Sequence, residues 1–320
     1  MAARTARKHS NTLRILTHFP KAQLGAVAER LPGIELVPIP LEGELPSEAS
    51  GEILLTYPWD TGNLAQSLER GVRWVHAVGT GVDRMPFALI GDRTFTCSRG
   101  GSSIPIAEWV LAMLLSFEKR LPQTWIDAAP KHWSAFELGR LHGKTVGLVG
   151  IGGIGVAVAE RAQPFGVSLI ATRRRDAPSP LEGVECVTSL RELFGRADHL
   201  ILAAPATPET HHLVDKESLA WLKPGAHLIN VARGSLIDHD ALRIALDDGR
   251  VARASLDVAD PEPPPAGHWL YEHPGVFLSP HVAWNMPGAF DLFLKIFLDN
   301  VERYQRDEPL MGQIDRELGY

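Results

Sequence analysis

Short runs of aliphatic and β-branched residues alternate with stretches whose apolar positions recur at helical spacing along nearly the whole chain. LRILTHF (13–19), IELVPIP (34–40), EILLTY (52–57), RWVHAV (73–78) and TFTCS (94–98) read as strands, with helical or turn-like segments between them. A long apolar helix is predicted over roughly 104–128. A second series follows: TVGLV (145–149), VSLIA (167–171), VECVT (184–188), HLILAA (199–204), AHLINV (226–231), ASLDV (254–258) and VFLS (276–279). Helices are predicted at 154–163 and 238–248, and FDLFLKIFLDNVERY within 288–307 has apolar and charged residues at helical spacing. Strands that alternate with helices predict parallel sheets covered by helices, an α/β fold. The first block suits a small doubly wound domain, and the second, with about seven strands, a larger one.

No solenoid-type repeat breaks this pattern, and the cluster Pro261, Pro263, Pro264, Pro265 reads as a rigid loop. A length of 320 residues suits two domains. The net charge of −6 argues against nucleic acid, whose binding rests on neutralising phosphates. The longest apolar stretch, 104–117, is interrupted by Glu108 and is too short to span a bilayer. The basic start MAARTARKHSN lacks an apolar run behind it and reads as a frayed tail rather than a signal peptide. Two cysteines, Cys97 and Cys186, cannot build a disulfide framework, so a reducing, cytoplasmic setting is expected.

Gly150, Gly152 and Gly155 form G-x-G-x-x-G between a predicted strand and a predicted helix. Gly150 permits a tight turn, Gly152 lets backbone approach a pyrophosphate, and Gly155 allows close helix–sheet packing. The helix start supplies N–H groups and partial positive charge for phosphates. In NAD-binding domains the next strand usually ends in an acid that binds the ribose 2′-hydroxyl. Here VSLIA is followed by Thr172, Arg173, Arg174 and Arg175, with no carboxylate before Asp176. A guanidinium at Arg173 can pair with a 2′-phosphate, which favours NADP(H), with NAD(H) admitted.

Three later strands end in residues suited to keto-acid reduction. Arg233 can hold a carboxylate and polarise the adjacent carbonyl. His281 can give a proton to the carbonyl oxygen. Glu262 can hydrogen-bond the imidazole and favour its charged form. His211–His212 and the pair His268 and His273 invite a zinc reading, but nothing completes a ligand set, so no metal is expected. Tyr57, Trp59, Trp284 and Met286 could form an apolar wall beside C3 of the substrate, which places Trp284 among the substrate-binding candidates.

At these residues the sequence resembles the D-isomer-specific 2-hydroxyacid dehydrogenase family over almost its whole length. VHAVGTGVD (75–83) looks like the family's carboxylate-binding loop, and IPIAEWVLAMLL (104–115) like its inter-domain helix. GKTVGLVGIGGIG (143–155), APATPETHHLV (204–214), NVARGSLID (230–238), LDVADPEP (256–263) and SPHVAW (279–284) follow in the family's order. The closing DNVERYQRDEPL…ELGY looks like a family tail.

The resemblance implies two doubly wound parallel-sheet domains. A Rossmann dinucleotide-binding domain, 102–285, would be inserted in a discontinuous flavodoxin-like substrate domain, 1–101 with 286–320, with a hinged cleft above the cofactor. It implies that Arg233, Glu262 and His281 are catalytic, and that Val78 and Gly79 offer N–H groups to the substrate carboxylate. Beside the glycine turn with Gly153 and Ile154, and beside Arg173 and Arg174, it implies cofactor contacts at Pro205, Thr207–Thr210, Val231, Ala232, His281 and Ala283. Asp257 would face the nicotinamide end. The implied function is hydride transfer from NADPH to C2 of a small 2-keto acid, giving a D-2-hydroxy acid. Arg173 resembles the glyoxylate/hydroxypyruvate reductase branch. A homodimer is implied, with the helix near 104–128 as its interface. Two rivals are a nicotinamide-responsive, corepressor-like binding protein and an NAD-linked phosphoglycerate-type dehydrogenase. The intact Arg, Glu and His and the short tail disfavour the first; Arg173 and the lack of an added regulatory domain disfavour the second.

Overall fold

A computed structural model describes residues 12–134, 137–174 and 178–320. The basic amino-terminal stretch, Arg175 and Asp176 lie outside them. The chain divides into two compact units: one runs to Gly101 and takes in Gly288–Tyr320, the other is Ser102–Pro287.

In the first unit, β1 (Leu13–Thr17), β2 (Ile34–Pro38), β3 (Ile53–Thr56), β4 (Trp74–Ala77) and β5 (Thr94–Cys97) form a parallel sheet in the order β2-β1-β3-β4-β5. The short helices α1 (Gly25–Arg30), α2 (Leu64–Leu68) and α3 (Phe87–Ile90) join them. β3 and β4 are buried at every position, which is why they read as unbroken rather than alternating runs. The last helix, Ala289–Gln305, returns to this sheet. Ser98 Oγ donates to the Phe293 carbonyl at 3.1 Å, the Tyr304 hydroxyl donates to Glu52 Oε2 at 3.1 Å, and Trp74 packs against Phe297 and Tyr304. Arg30 on α1 pairs with Asp299 and Glu302 at 2.6 and 2.9 Å.

The second unit opens with α4 (Ser103–Glu118) and then alternates β6 (Thr145–Val149), α5 (Gly153–Ala162), β7 (Ser168–Thr172), β8 (Val184–Cys186), α6 (Leu190–Arg196), β9 (His199–Leu202), α7 (Lys216–Ala220), β10 (Ala226–Asn230), α8 (His239–Asp247), β11 (Val251–Leu256) and β12 (Val276–Leu278). The strands are parallel in the order β12-β11-β10-β9-β6-β7-β8. Counted from β6 this is the Rossmann order 3-2-1-4-5-6 with one strand added. Side chains alternate between the faces, as a strand's period of two requires. Leu200 and Leu202 join the core beneath α6–α8, while Ile201 joins the core beneath α4 and α5.

The predicted helix 104–128 is too long. α4 stops at Glu118 because Arg120 takes a left-handed φ of 50° and Pro122 has no N–H to continue the ladder. Among the described residues no helix is long and apolar enough to cross a membrane.

Candidate active site

Each strand of a parallel sheet delivers the residue after its carboxyl end to one common edge, where ligands of open α/β sheets bind. On the second unit's sheet that edge holds the glycine turn after β6, Arg173 after β7, Pro205 after β9, Arg233 after β10, Asp257 and Glu262 after β11, and His281 after β12.

The three glycines of the turn meet different demands. Gly150 has φ of 95°, and a Cβ there would lie 3.0 Å from the Ala203 carbonyl oxygen. At Gly155 a Cβ would lie 2.4 Å from the Gly150 carbonyl oxygen, so this glycine lets α5 start against the turn. At Gly152 a Cβ would meet nothing within 4 Å. Packing therefore does not demand that glycine, and the open space suits a phosphate approaching backbone. No side chain caps α5 at Gly152, so the first N–H groups, at Gly153 and Ile154, keep their donor capacity for an anion. These residues fit a dinucleotide's pyrophosphate.

Arg173 directly follows β7, and its guanidinium donates to the Pro178 carbonyl. In the loop after β9, Thr210 Oγ1 donates to the Pro205 carbonyl at 2.7 Å and accepts the Thr207 N–H at 2.8 Å. The Thr207 hydroxyl holds the Glu209 carboxyl below its usual range, and the charge of Arg174 adds to this.

The turn after β10 is built by Asn230, whose side chain is fully buried. Its amide donates to the Arg233 carbonyl at 2.8 Å, and its Oδ1 accepts the Ala232 N–H at 3.0 Å. Arg233 lies half-buried, with Nη1 donating to the Ala232 carbonyl at 2.8 Å. A Cβ on Gly234 would lie 1.9 Å from the Ala259 carbonyl carbon. Only glycine lets the Arg233 turn lie against the loop that leads to Glu262.

Asp257 holds the next loop. The residue is 3% exposed. Oδ1 accepts the Ser279 hydroxyl at 2.6 Å and the Val282 N–H at 2.9 Å, and Oδ2 accepts the Ala283 N–H at 2.9 Å. The Asp257 carbonyl also accepts the His281 N–H at 2.8 Å. His281 sits inside this clasp with φ of 54°, a conformation that costs an L-residue about 1–2 kcal/mol. Hydrogen bonds to a charged acceptor contribute about 1.5–3 kcal/mol each, enough to hold it there. His281 Nδ1–H donates to Glu262 Oε1 at 2.6 Å, and both side chains are partly exposed. Both carboxylate oxygens of Asp257, the residue expected to face the nicotinamide end, are bonded to the His281 loop. Asn230, Gly234 and Ser279 were missed. The polar Asn and Ser closing otherwise apolar strands were the available signal.

In the first unit, the Val78 N–H donates to the Thr56 carbonyl at 2.8 Å, extending the β3–β4 ladder. This corrects the expectation that it is offered to a carboxylate. Gly79 follows with φ of 129°, and its carbonyl accepts the Ser98 N–H at 2.8 Å. Trp284 packs against the second unit's core, with Val231 and Ala283. Tyr57 and Trp59 stack on each other in the first unit. Among the described residues no group of three or more His, Cys, Asp or Glu side chains could hold a metal ion.

A Rossmann sheet, a glycine turn open at its middle glycine and a histidine–carboxylate pair on the same edge define a dinucleotide-dependent oxidoreductase type of unit. Residues 111–283 match the family described as D-isomer specific 2-hydroxyacid dehydrogenase, NAD binding domain, and the chain belongs to that family. It is 32% identical over 241 residues to the glyoxylate/hydroxypyruvate reductase HPR3 of Arabidopsis thaliana, covering 73% of each chain. It is 39% identical over 222 residues to the D-3-phosphoglycerate dehydrogenase of Bacillus subtilis, covering 67% of this chain and 41% of that one. For four such curated relatives the matched share of their own length lies between 37% and 59%. Among solved structures, the D-isomer specific 2-hydroxyacid dehydrogenase from Xanthobacter autotrophicus Py2, in complex with NADPH and MES, superposes with a TM-score of 0.81 at 26% identity. It covers 97% of this chain and 100% of that one.

Proposed function

We propose that this protein reduces small 2-keto acids to D-2-hydroxy acids and uses NADPH in preference to NADH. The observation that carries the reading is the His281–Glu262 pair, 2.6 Å apart on the edge that also bears the glycine turn and Arg233. A bound reduced nicotinamide supplies hydride to C2. Arg233 holds the substrate carboxylate and orients the keto group. Glu262 fixes Nδ1 of His281, so Nε2 delivers the proton to the keto oxygen. Asp257 and Ser279 position His281 without touching substrate. Arg173 and Arg174 receive the 2′-phosphate of NADP.

The family and the NADPH-bound structural relative support this reading. Relatives named D-3-phosphoglycerate dehydrogenase favour a second reading, oxidation of 3-phosphoglycerate with NAD. Assaying glyoxylate, hydroxypyruvate, pyruvate and larger 2-keto acids with each reduced cofactor, and 3-phosphoglycerate with each oxidised one, separates the two. The first reading requires keto-acid reduction faster with NADPH. Turnover of 3-phosphoglycerate alone would replace it.

Two further parts belong to the same proposal. On the stretch after α4, Trp125 and Trp133 are 74% and 80% exposed, and a second copy of the chain would cover them in a homodimer. Both cysteines are free, which suits a reducing cytoplasm.

A further inference from the structure

In the second unit, His199 opens β9 and His227 lies beside it in register on β10, at the ends of these strands away from the candidate active site. Both side chains share the sheet face of Ile201 and Ile229, which lie in the core beneath α4 and α5. Imidazoles buried in such a place need partners. They find them in a row. Ser255 Oγ on β11 lies 2.9 Å from His227 Nε2. His227 Nδ1 lies 3.2 Å from His199 Nδ1. His199 Nε2 lies 3.2 Å from Oε1 of Glu118, the last residue of α4. His199 and Glu118 are both buried, and among the described residues these two atoms have no other hydrogen-bond partner. Glu118 Oε2 lies against Gly139, where a Cβ would have no room, and Lys119 Nζ donates to the Gly139 carbonyl at 2.9 Å.

Two Nδ1 atoms that face each other give the row a direction, because one must donate and the other accept. With Glu118 ionised and both imidazoles neutral, every donor points toward the carboxylate. Ser255 O–H donates to His227 Nε2, His227 Nδ1–H to His199 Nδ1, and His199 Nε2–H to Glu118. One added proton reverses all but the last contact. His227 passes its Nδ1 hydrogen to His199 and gains the added one at Nε2, which then donates to Ser255 Oγ. His227 is neutral in both states, and His199 becomes an imidazolium.

The surrounding charges place the proton on His199, which faces the carboxylate. Burial, and then the charges of His199 and Arg253, hold His227 well below the usual histidine range. Arg253 is 8% exposed, with its guanidinium over the rings of Phe277 and Phe117, and Phe117 stacks on His227 at 4.5 Å. Lys144 Nζ is 4.0 Å from Glu118 Oε1. Asp198, next to His199 in the chain, is engaged elsewhere, accepting the Thr145 N–H and pairing with Lys223. A buried carboxylate is costly beside neutral groups and much less so beside a cation.

We propose that Ser255, His227, His199 and Glu118 form a pH-sensitive latch. One proton taken up by the row turns the His199–Glu118 contact into a buried ion pair, which tightens the end of α4 and Gly139 on the sheet.

The test follows the histidine side chains of the whole chain by proton–nitrogen NMR from about pH 9 to about pH 5.5, the range in which imidazoles titrate. As His199 gains its charge, His227 stays neutral and moves its hydrogen from Nδ1 to Nε2 with the same midpoint. Amide exchange in the last turn of α4, corrected for its intrinsic dependence on pH, slows at least about tenfold on the acid side, the value of one charge-assisted contact. In His199→Gln, whose amide copies the neutral order but cannot take a proton, both changes vanish. Glu118→Gln keeps the shape and removes the charge, so the His199 midpoint falls by about one pH unit or more. Should His199→Gln fail to fold, the wild type and Glu118→Gln decide alone. A His227 that keeps one tautomer throughout the wild-type titration overturns the relay. Equal exchange at both ends of the range, or an unmoved midpoint in Glu118→Gln, overturns the latch.

Discussion

His281 Nδ1 lies 2.6 Å from Oε1 of Glu262, and the Asp257 carboxylate, which accepts the Val282 and Ala283 N–H groups, holds the loop that carries the histidine. Glu262 is partly exposed, so its loss should cost little packing. Glu262→Gln is predicted to lower kcat about 10- to 100-fold with KM and Tm little changed, as steady-state kinetics and calorimetry will measure. A kcat within twofold of wild type would remove Glu262 from the proton-delivery step.

Gly152 and Gly155 are predicted to fail in different ways. A methyl group at Gly152 enters open space, so Gly152→Ala should keep its Tm and bind NADPH at least about tenfold more weakly. At Gly155 the methyl would meet the Gly150 carbonyl oxygen at 2.4 Å, so Gly155→Ala should cost roughly 1–3 kcal/mol of stability. Equal loss of Tm in both would make the motif a packing device alone.

Arg173→Asp is predicted to reverse cofactor choice. A carboxylate after β7 repels a 2′-phosphate and accepts a ribose hydroxyl. The ratio of kcat/KM for NADPH over NADH should fall at least about tenfold, the value of one lost charge-assisted contact. An unchanged ratio would assign Arg173 to the loop it bonds at Pro178.

Acid should destabilise the chain well before its carboxylates titrate. Burial pushes His76 down to about 3 and His227 well below the usual histidine range. Unfolded histidine binds a proton below about pH 6.5, whereas these folded ones stay neutral. Their stabilisation is therefore full above pH 6.5 and is lost as pH falls toward 3, by up to about 1.4 kcal/mol per pH unit for each. Scanning calorimetry should show Tm falling through this window, less steeply in His76→Gln. Identical slopes would show that His76 does not set them.

The strands and most helices were legible because hydrophobic period reports local conformation. The strand-turn-helix setting of Gly150–Gly155 marked the dinucleotide edge in the same way. α4 was overextended because the apolar pattern ran on past the left-handed turn at Arg120. The backbone bonds of Asp257 were not legible: besides the Ser279 hydroxyl its carboxylate accepts N–H groups 25 and 26 residues away, and no side-chain pattern announces a backbone donor. Gly234 was equally silent, since the atom that forbids a side chain there belongs to Ala259. The aromatic stack of Tyr57 and Trp59 in the first unit was half visible. Tyr57 and Trp59 lie two apart in sequence, but Phe19 and Phe290 join them only through the sheet order and the returning helix.

The most direct measurement is consumption of NADPH with a panel of 2-keto acids by wild type and His281→Ala, alongside NADPH affinity by titration. The wild type should oxidise NADPH in a keto-acid-dependent manner, and His281→Ala should lose about 10²- to 10⁴-fold in kcat while binding NADPH as tightly. A variant that turns over as fast as the wild type, or a wild type inert toward every 2-keto acid, would contradict the account.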